Sequence, residues 1–329
     1  MPPHLDPPSA GALPFLSLAV QLAVVAAAAY AGGSSLSFLS MGHRRMQVLL
    51  SLTGGVLLGV GLLHLLPHAL YEFHGQIDVT MLWVLAGFFV MFLLERAFHG
   101  HAHHTADGSH AGHDHGHGHA HEHAHDHGHH QHHGHDHAGH AGAVDTAKGG
   151  RWAWCGAFAG LALHSLADGA ALAASVRADD EHGVGWLAGC ATFLAVLLHK
   201  PFDAAIIGTL MLNSGVSART RSLVNGLYAL VVPLGAVVFL ASLRLVGGHT
   251  DAILGACLAV AAGAFICIAA ADLLPEVQFH SHDRVLLTSA LALGLAIAWG
   301  ITQLEQSSHA HAHGHAHSHA HEPGPVSAP

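Results

Sequence analysis

Eight apolar stretches of about 20 residues each, joined by short polar segments, leave this chain few folds to choose from. That is the length a helix needs to cross about 30 Å of hydrocarbon. Backbone groups in lipid must be satisfied within the spanning structure, so blocks this long read as helices. The spans run Phe15–Gly32, Val48–Tyr71, Val79–Phe98, Trp152–Ser175, Val184–Leu212, Leu223–Leu245, Ala252–Leu274 and Val285–Leu304. Composition agrees: 10% of residues are charged and 51% hydrophobic, where a soluble domain carries about 25% charge. The fold class is an all-α polytopic membrane protein with eight transmembrane helices.

Between and beyond the spans the composition changes sharply. Residues 1–14 form a Pro-rich leader without Lys or Arg. The Ala-rich end of the first span resembles a signal-peptide cleavage region, but the positive n-region is missing, so it reads as a permanent helix. Transmembrane helices 1–3 occupy 15–98 and helices 4–8 occupy 151–304. The loop 99–150 is His-rich, with 20 histidines between His99 and His140 and almost no apolar residue. Such a segment cannot bury a core and is expected to be disordered. It suits a metal buffer or sensor. A second His-rich tail occupies 305–329. The four cysteines lie inside spans without a Cys-x-x-Cys pair and read as small hydrophobes. The net charge of −10 identifies no partner, because 38 histidines take up protons or metal as conditions change, and nothing in it points to nucleic acid.

Lys and Arg set the orientation. Odd-numbered loops hold Arg44, Arg45, Arg96, Lys148, Arg151, Arg219, Arg221 and Arg284, whereas even-numbered loops hold only Arg177 and Arg244. Both termini are therefore expected outside the cytosol, with the long His loop inside it.

Two short motifs lie deep in apolar sequence: HSLADG from His164 to Gly169, and HKPFD from His199 to Asp203. In a helix, i and i+4 share a face, so each motif sets an imidazole beside a carboxylate. Ionisable groups at that depth are costly and mark an ion path. Mixed imidazole and carboxylate suits Zn²⁺ and its first-row neighbours better than Ca²⁺ or Mg²⁺, and omitting thiolates keeps binding weak enough for release. The candidate ligands are His164, Ser165, Asp168, His199 and Asp203. Lys200 is the unusual member, because a cation repels a metal. It is expected to pair with a carboxylate or to stand in for a second ion. Pro201 frees the Leu197 carbonyl and loosens the fifth helix beside the site.

An internal echo indicates an inverted repeat. The second span ends His64-Leu65-Leu66-Pro67-His68, and the seventh ends Asp272-Leu273-Leu274-Pro275-Glu276. These two helices cross in opposite senses, and the fourth and fifth form another such pair, a recurrent transporter plan. His64, His68 and Glu72 are candidate pathway residues at the outer mouth, and Asp272 and Glu276 at the inner one, with Pro67 and Pro275 marking kinks.

The ordered set of these motifs resembles the ZIP (Zrt/Irt-like) family of metal transporters. It comprises LLPH after the second span, the His-rich third loop, HSLADG in the fourth, the fifth-span histidine motif, and AGAFICIAAADLLPE in the seventh. The resemblance implies an eight-helix carrier that moves Zn²⁺, or Fe²⁺, Mn²⁺ or Cd²⁺, into the cytosol, often as a homodimer and without a prosthetic group. It maps fourth-helix ligands onto His164, Ser165 and Asp168, and the fifth-helix pattern onto His199, Lys200 and Asp203. Lys200 replaces a residue that is commonly a second metal's ligand, and the sixth span offers no Glu, so a single-ion site is expected. Two rivals stand beside this reading. Cation-diffusion facilitators export metal through His-x-x-x-Asp pairs, but resemble six-helix proteins with a folded C-terminal domain. An intramembrane zinc hydrolase would need a general base where Lys200 stands.

Overall fold

The computed structural model describes residues 13–35, 42–103, 153–181, 184–247, 249–279 and 284–316. Ten α-helices follow one another in these residues: α1 Leu13–Ser34, α2 His43–Val60, α3 Leu66–Glu72, α4 Ile77–His103, α5 Ala153–Glu181, α6 Cys190–Asn213, α7 Ala218–Ala229, α8 Val231–Val246, α9 Thr250–Phe279 and α10 Arg284–Ala316. A π turn, Gly61–Leu65, joins α2 to α3 as one span, and α7 and α8 form another. The result is eight segments long and apolar enough to cross a membrane.

Helix ends differ from the composition-based bounds. The α4 backbone runs on through His103 and the α10 backbone through Ala316, both into the His-rich segments. Extending an existing helix needs no new nucleus, so a polar Ala/His sequence can continue one that an apolar span has started. Residue 305, assigned by composition to the tail, is a buried Glu of α10. The rest of the His loop, 104–150, lies outside the described residues. Around Pro67 the disturbance is the π turn ahead of the proline, while α9 stays helical through Pro275. Pro233, which has no N–H to donate to Ala229, accompanies the break between α7 and α8 at Leu230.

The tightest helix pairs are α2 with α10, α4 with α9, α5 with α8 and α1 with α6. In span numbers these are 2·8, 3·7, 4·6 and 1·5. Exchanging spans 1, 2, 3 with 6, 7, 8 and span 4 with 5 maps this set onto itself, as an inverted repeat requires. Each pair is closed by reciprocal glycines. An added Cβ at Gly169 of α5 would overlap the Val232 carbonyl of α8, and one at Gly235 of α8 would overlap the Leu166 carbonyl of α5. Gly87 and Gly263 do the same for α4 and α9, as do Gly55 and Gly294 for α2 and α10. Small residues that let backbones approach are the membrane solution to helix packing, since lipid supplies no hydrophobic drive between helices.

Gly169, the last residue of HSLADG, therefore fixes where α8 sits. Gly169→Ala is expected to destabilise the protein by about 1–3 kcal/mol, and Gly169→Leu to abolish monodisperse yield. Thermal melts and size exclusion of the detergent-solubilised variants check both.

Candidate metal centre

Helices α5 and α6 bring the two motifs together in the interior. His164, Ser165, Asp168, His199 and Lys200 are all buried, and Lys200 is 0% exposed. Asp168 Oδ2 is the hub. It lies 3.4 Å from His164 Nε2, 3.4 Å from His199 Nε2 and 2.5 Å from Lys200 Nζ. One donor atom from each of His164, Asp168 and His199 lies within 4.8 Å of the others, close enough to share one ion.

The tautomer of His199 follows from its second nitrogen. Nδ1 is 2.8 Å from the Ala195 carbonyl, which can only accept, so Nδ1 carries the hydrogen. Nε2 faces Asp168 Oδ2 at 3.4 Å, where it either donates a proton to the carboxylate or offers its lone pair to a cation between them. A lone pair facing a carboxylate is an arrangement that a proton or a cation satisfies, and second-shell carbonyls orient metal-binding imidazoles in this way.

Asp203 takes a different place. Its Oδ2 is 2.7 Å from Lys200 Nζ and 3.7 Å from His164 Nε2, but it is not among the three residues whose donor atoms all lie within 4.8 Å of one another. Lys200 also donates to Ser165 Oγ at 3.2 Å, Ser165 donates to the Tyr228 hydroxyl at 2.8 Å, and Tyr228 donates to Asp203 Oδ2 at 3.4 Å. The ring is closed and every donor has an acceptor. Lys200 thus bridges both carboxylates, and Ser165 makes a helix–helix hydrogen bond through Tyr228 of α7. Tyr228 was invisible to motif reading because the partner that gives it a role, Ser165, lies 63 positions away in the sequence.

A second group lies at the end of the bundle that the arginine count assigns to the exterior. Asp179 stands 11 residues beyond Asp168 on α5, roughly 16 Å along the axis at 1.5 Å per residue. His64 belongs to the π turn and His68 to α3, with ring centroids 4.8 Å apart. His68 Nε2 is 3.2 Å and His64 Nε2 3.8 Å from Asp179, and His64 Nδ1 is 3.1 Å from Glu305 on α10. Ser175 Oγ lies 2.8 Å from His64 Nε2 and accepts from Thr192. The carboxylates are anchored in turn: Asp179 accepts from Gly189 N–H at 2.7 Å and Glu305 from Ala191 N–H at 3.1 Å. One donor atom from each of His64, His68 and Asp179 also lies within 4.8 Å of the others.

Of the pathway residues expected from spacing, His64 and His68 converge, but Glu72 does not join them. It lines a cavity of about 740 Å³ at the same end with His74, Glu181 and Asp251. His64 itself belongs to the π turn, whereas His68 and Glu72 both belong to α3, with Glu72 at its last residue. Asp179 and Glu305 escaped the sequence reading because each sits at the polar end of its span, where acidic residues are common. The side chains of Asp272 and Glu276 lie outside the described residues.

A family profile described as ZIP Zinc transporter matches residues 15–302. A search of curated proteins returned no match. The profile covers nearly all of the chain, and the chain belongs to the ZIP zinc transporter family. It is a multi-pass membrane protein that transports divalent metal ions, and it is not an enzyme. The hydrolase alternative is thereby set aside, and so is membership of the cation-diffusion facilitators, which were expected to show six helices where the described residues hold eight candidate spans.

Proposed function

We propose that this transporter carries Zn²⁺ into the cytosol by alternating access, one ion at a time, on His164, Asp168 and His199. The observation that carries the reading is a buried set of two imidazoles and a carboxylate within sharing distance of one ion. That donor set suits Zn²⁺ and is mixed enough for release. Asp203, Ser165 and Tyr228 serve Lys200 rather than the ion: they hold a fixed positive charge beside the ligands. This assigns Asp203 and Ser165 away from the ligand role that spacing indicated. Saturable Zn²⁺ uptake into proteoliposomes loaded with an ion-sensitive dye, lost when Asp168 is changed, is the expected result. No flux of any divalent ion from folded protein would overturn the reading.

His64, His68 and Asp179 support a first stop for the ion at the outer end. Removing an arriving ligand weakens capture more than turnover. His68→Ala is expected to raise the Zn²⁺ concentration for half-maximal flux about tenfold while leaving the maximal rate within about twofold. A fall in maximal rate with unchanged half-saturation would refute that role.

A further inference from the structure

We infer that the end of the bundle opposite the His64 group holds an anion site for a phosphate group. A cavity of about 290 Å³ lies where α1 ends, α6 ends and α7 begins. Its polar lining includes Tyr30, Ser34, Thr209, Arg221, Ser222 and Asn225, and among the described residues no carboxylate or imidazole borders it. The one charged group lining it among the described residues is the Arg221 guanidinium. One of its nitrogens, Nη1, donates to the Val216 carbonyl at 3.2 Å, which fixes the side chain while its fork keeps further N–H donors. Planar guanidinium donors match phosphate oxygens in pairs.

The rest of the lining is prearranged. Asn225 Nδ2 donates to the Tyr30 carbonyl at 2.8 Å and to Ser34 Oγ at 2.9 Å, so the Ser34 hydroxyl hydrogen is left to point elsewhere. Tyr30 OH and Ser222 Oγ are 3.3 Å apart, and of these two hydroxyls only one hydrogen is used between them. A cation and surplus hydroxyl donors without a competing carboxylate select an anion. This is also the arginine-rich end of the bundle, with Arg219 close by in sequence. The space takes a phosphate with room for a substituent, so a lipid phosphate headgroup and free inorganic phosphate share the chemistry that fits. Neither the central ligands nor the His64 group borders the cavity, and the inference is independent of which metal is carried.

The test is a thermal melt of the full chain in detergent with inorganic phosphate, with a short-chain phosphatidic acid, or with the matching diacylglycerol, for wild type, Arg221→Gln, Arg221→Lys and Ser222→Ala. An upward shift of about 3 °C is expected near ten times the dissociation constant. It should appear with the phosphate-bearing ligands, be absent with diacylglycerol, be lost in Arg221→Gln and be restored at least in part by Arg221→Lys. A shift with inorganic phosphate assigns the site to a free anion, and a shift with phosphatidic acid alone assigns it to a lipid headgroup. Equal shifts with diacylglycerol, or shifts unchanged in Arg221→Gln, would overturn the proposal, as would no shift with any ligand. If Arg221→Gln melts too low to read, Ser222→Ala, which removes one exposed hydroxyl, decides through a weakened phosphate shift.

Discussion

Asp168→Asn is expected to cut Zn²⁺ flux by about 100-fold or more while the protein stays folded. Loss of a residue that merely supports a ligand costs 10- to 100-fold in affinity or activity, and Asp168 is itself the hub that both imidazoles face. The substitution keeps the shape and removes the charge. It also leaves Lys200 paired with Asp203 at 2.7 Å, so no buried cation is stranded. Breaking a buried pair outright costs about 3–5 kcal/mol, which is why Asp168→Ala would confound lost transport with lost stability. The companion variant is Asp203→Asn. If Asp203 serves the lysine and not the ion, that change should keep more than about a tenth of the flux, and the two variants should separate clearly. Initial uptake rates normalised to folded protein make the comparison. Equal and severe losses in both would return Asp203 to the ligand set. Parental flux in Asp168→Asn would remove the central site altogether.

Most of the fold was legible because a bilayer imposes a length and a polarity on each span, and hydropathy reads both directly. The His-x-x-x-Asp pairs were legible for a similar reason: helical periodicity sets the i, i+4 face before any tertiary contact forms. What packing decides was not legible. Tyr228 meets Ser165 across 63 positions and Glu305 meets Ala191 across 114, and no local pattern announces such pairs. Glu72 is a second case. Regular spacing put His64, His68 and Glu72 on one stripe, but Glu72 ends α3 and lines the cavity with His74, Glu181 and Asp251 instead. The repeat was visible in part. Two echoing helix ends suggested it, and the invariance of the helix pairing under exchange of its halves supplies the rest.

The strongest test of the fixed charge is to reverse it. In the present site Lys200 offsets one of two carboxylates, and a single divalent ion then leaves one net positive charge. Lys200→Glu would set three carboxylates within a few ångströms of one another inside the membrane. Like charges at about 4 Å repel by about 4 kcal/mol at an effective dielectric of 20, so the metal-free variant should melt well below wild type. Cations are what can offset that repulsion. Added Zn²⁺ is therefore expected to raise the melting temperature of Lys200→Glu by far more than that of wild type, since a ligand stabilises in proportion to its preference for the folded state. Bound zinc should rise by about one per chain over wild type, because the position of the ammonium now offers carboxylate oxygen beside Asp168 and Asp203. Lys200→Met separates charge from shape: it removes the cation without adding a ligand, and should gain neither the additional ion nor the large zinc-dependent shift. Melts with zinc or chelator, together with elemental analysis of the purified variants, read both quantities. If Lys200→Glu binds the same amount of zinc as wild type and responds to it no more strongly, the lysine is not occupying an ion's place, and its role is confined to tying α5 to α6.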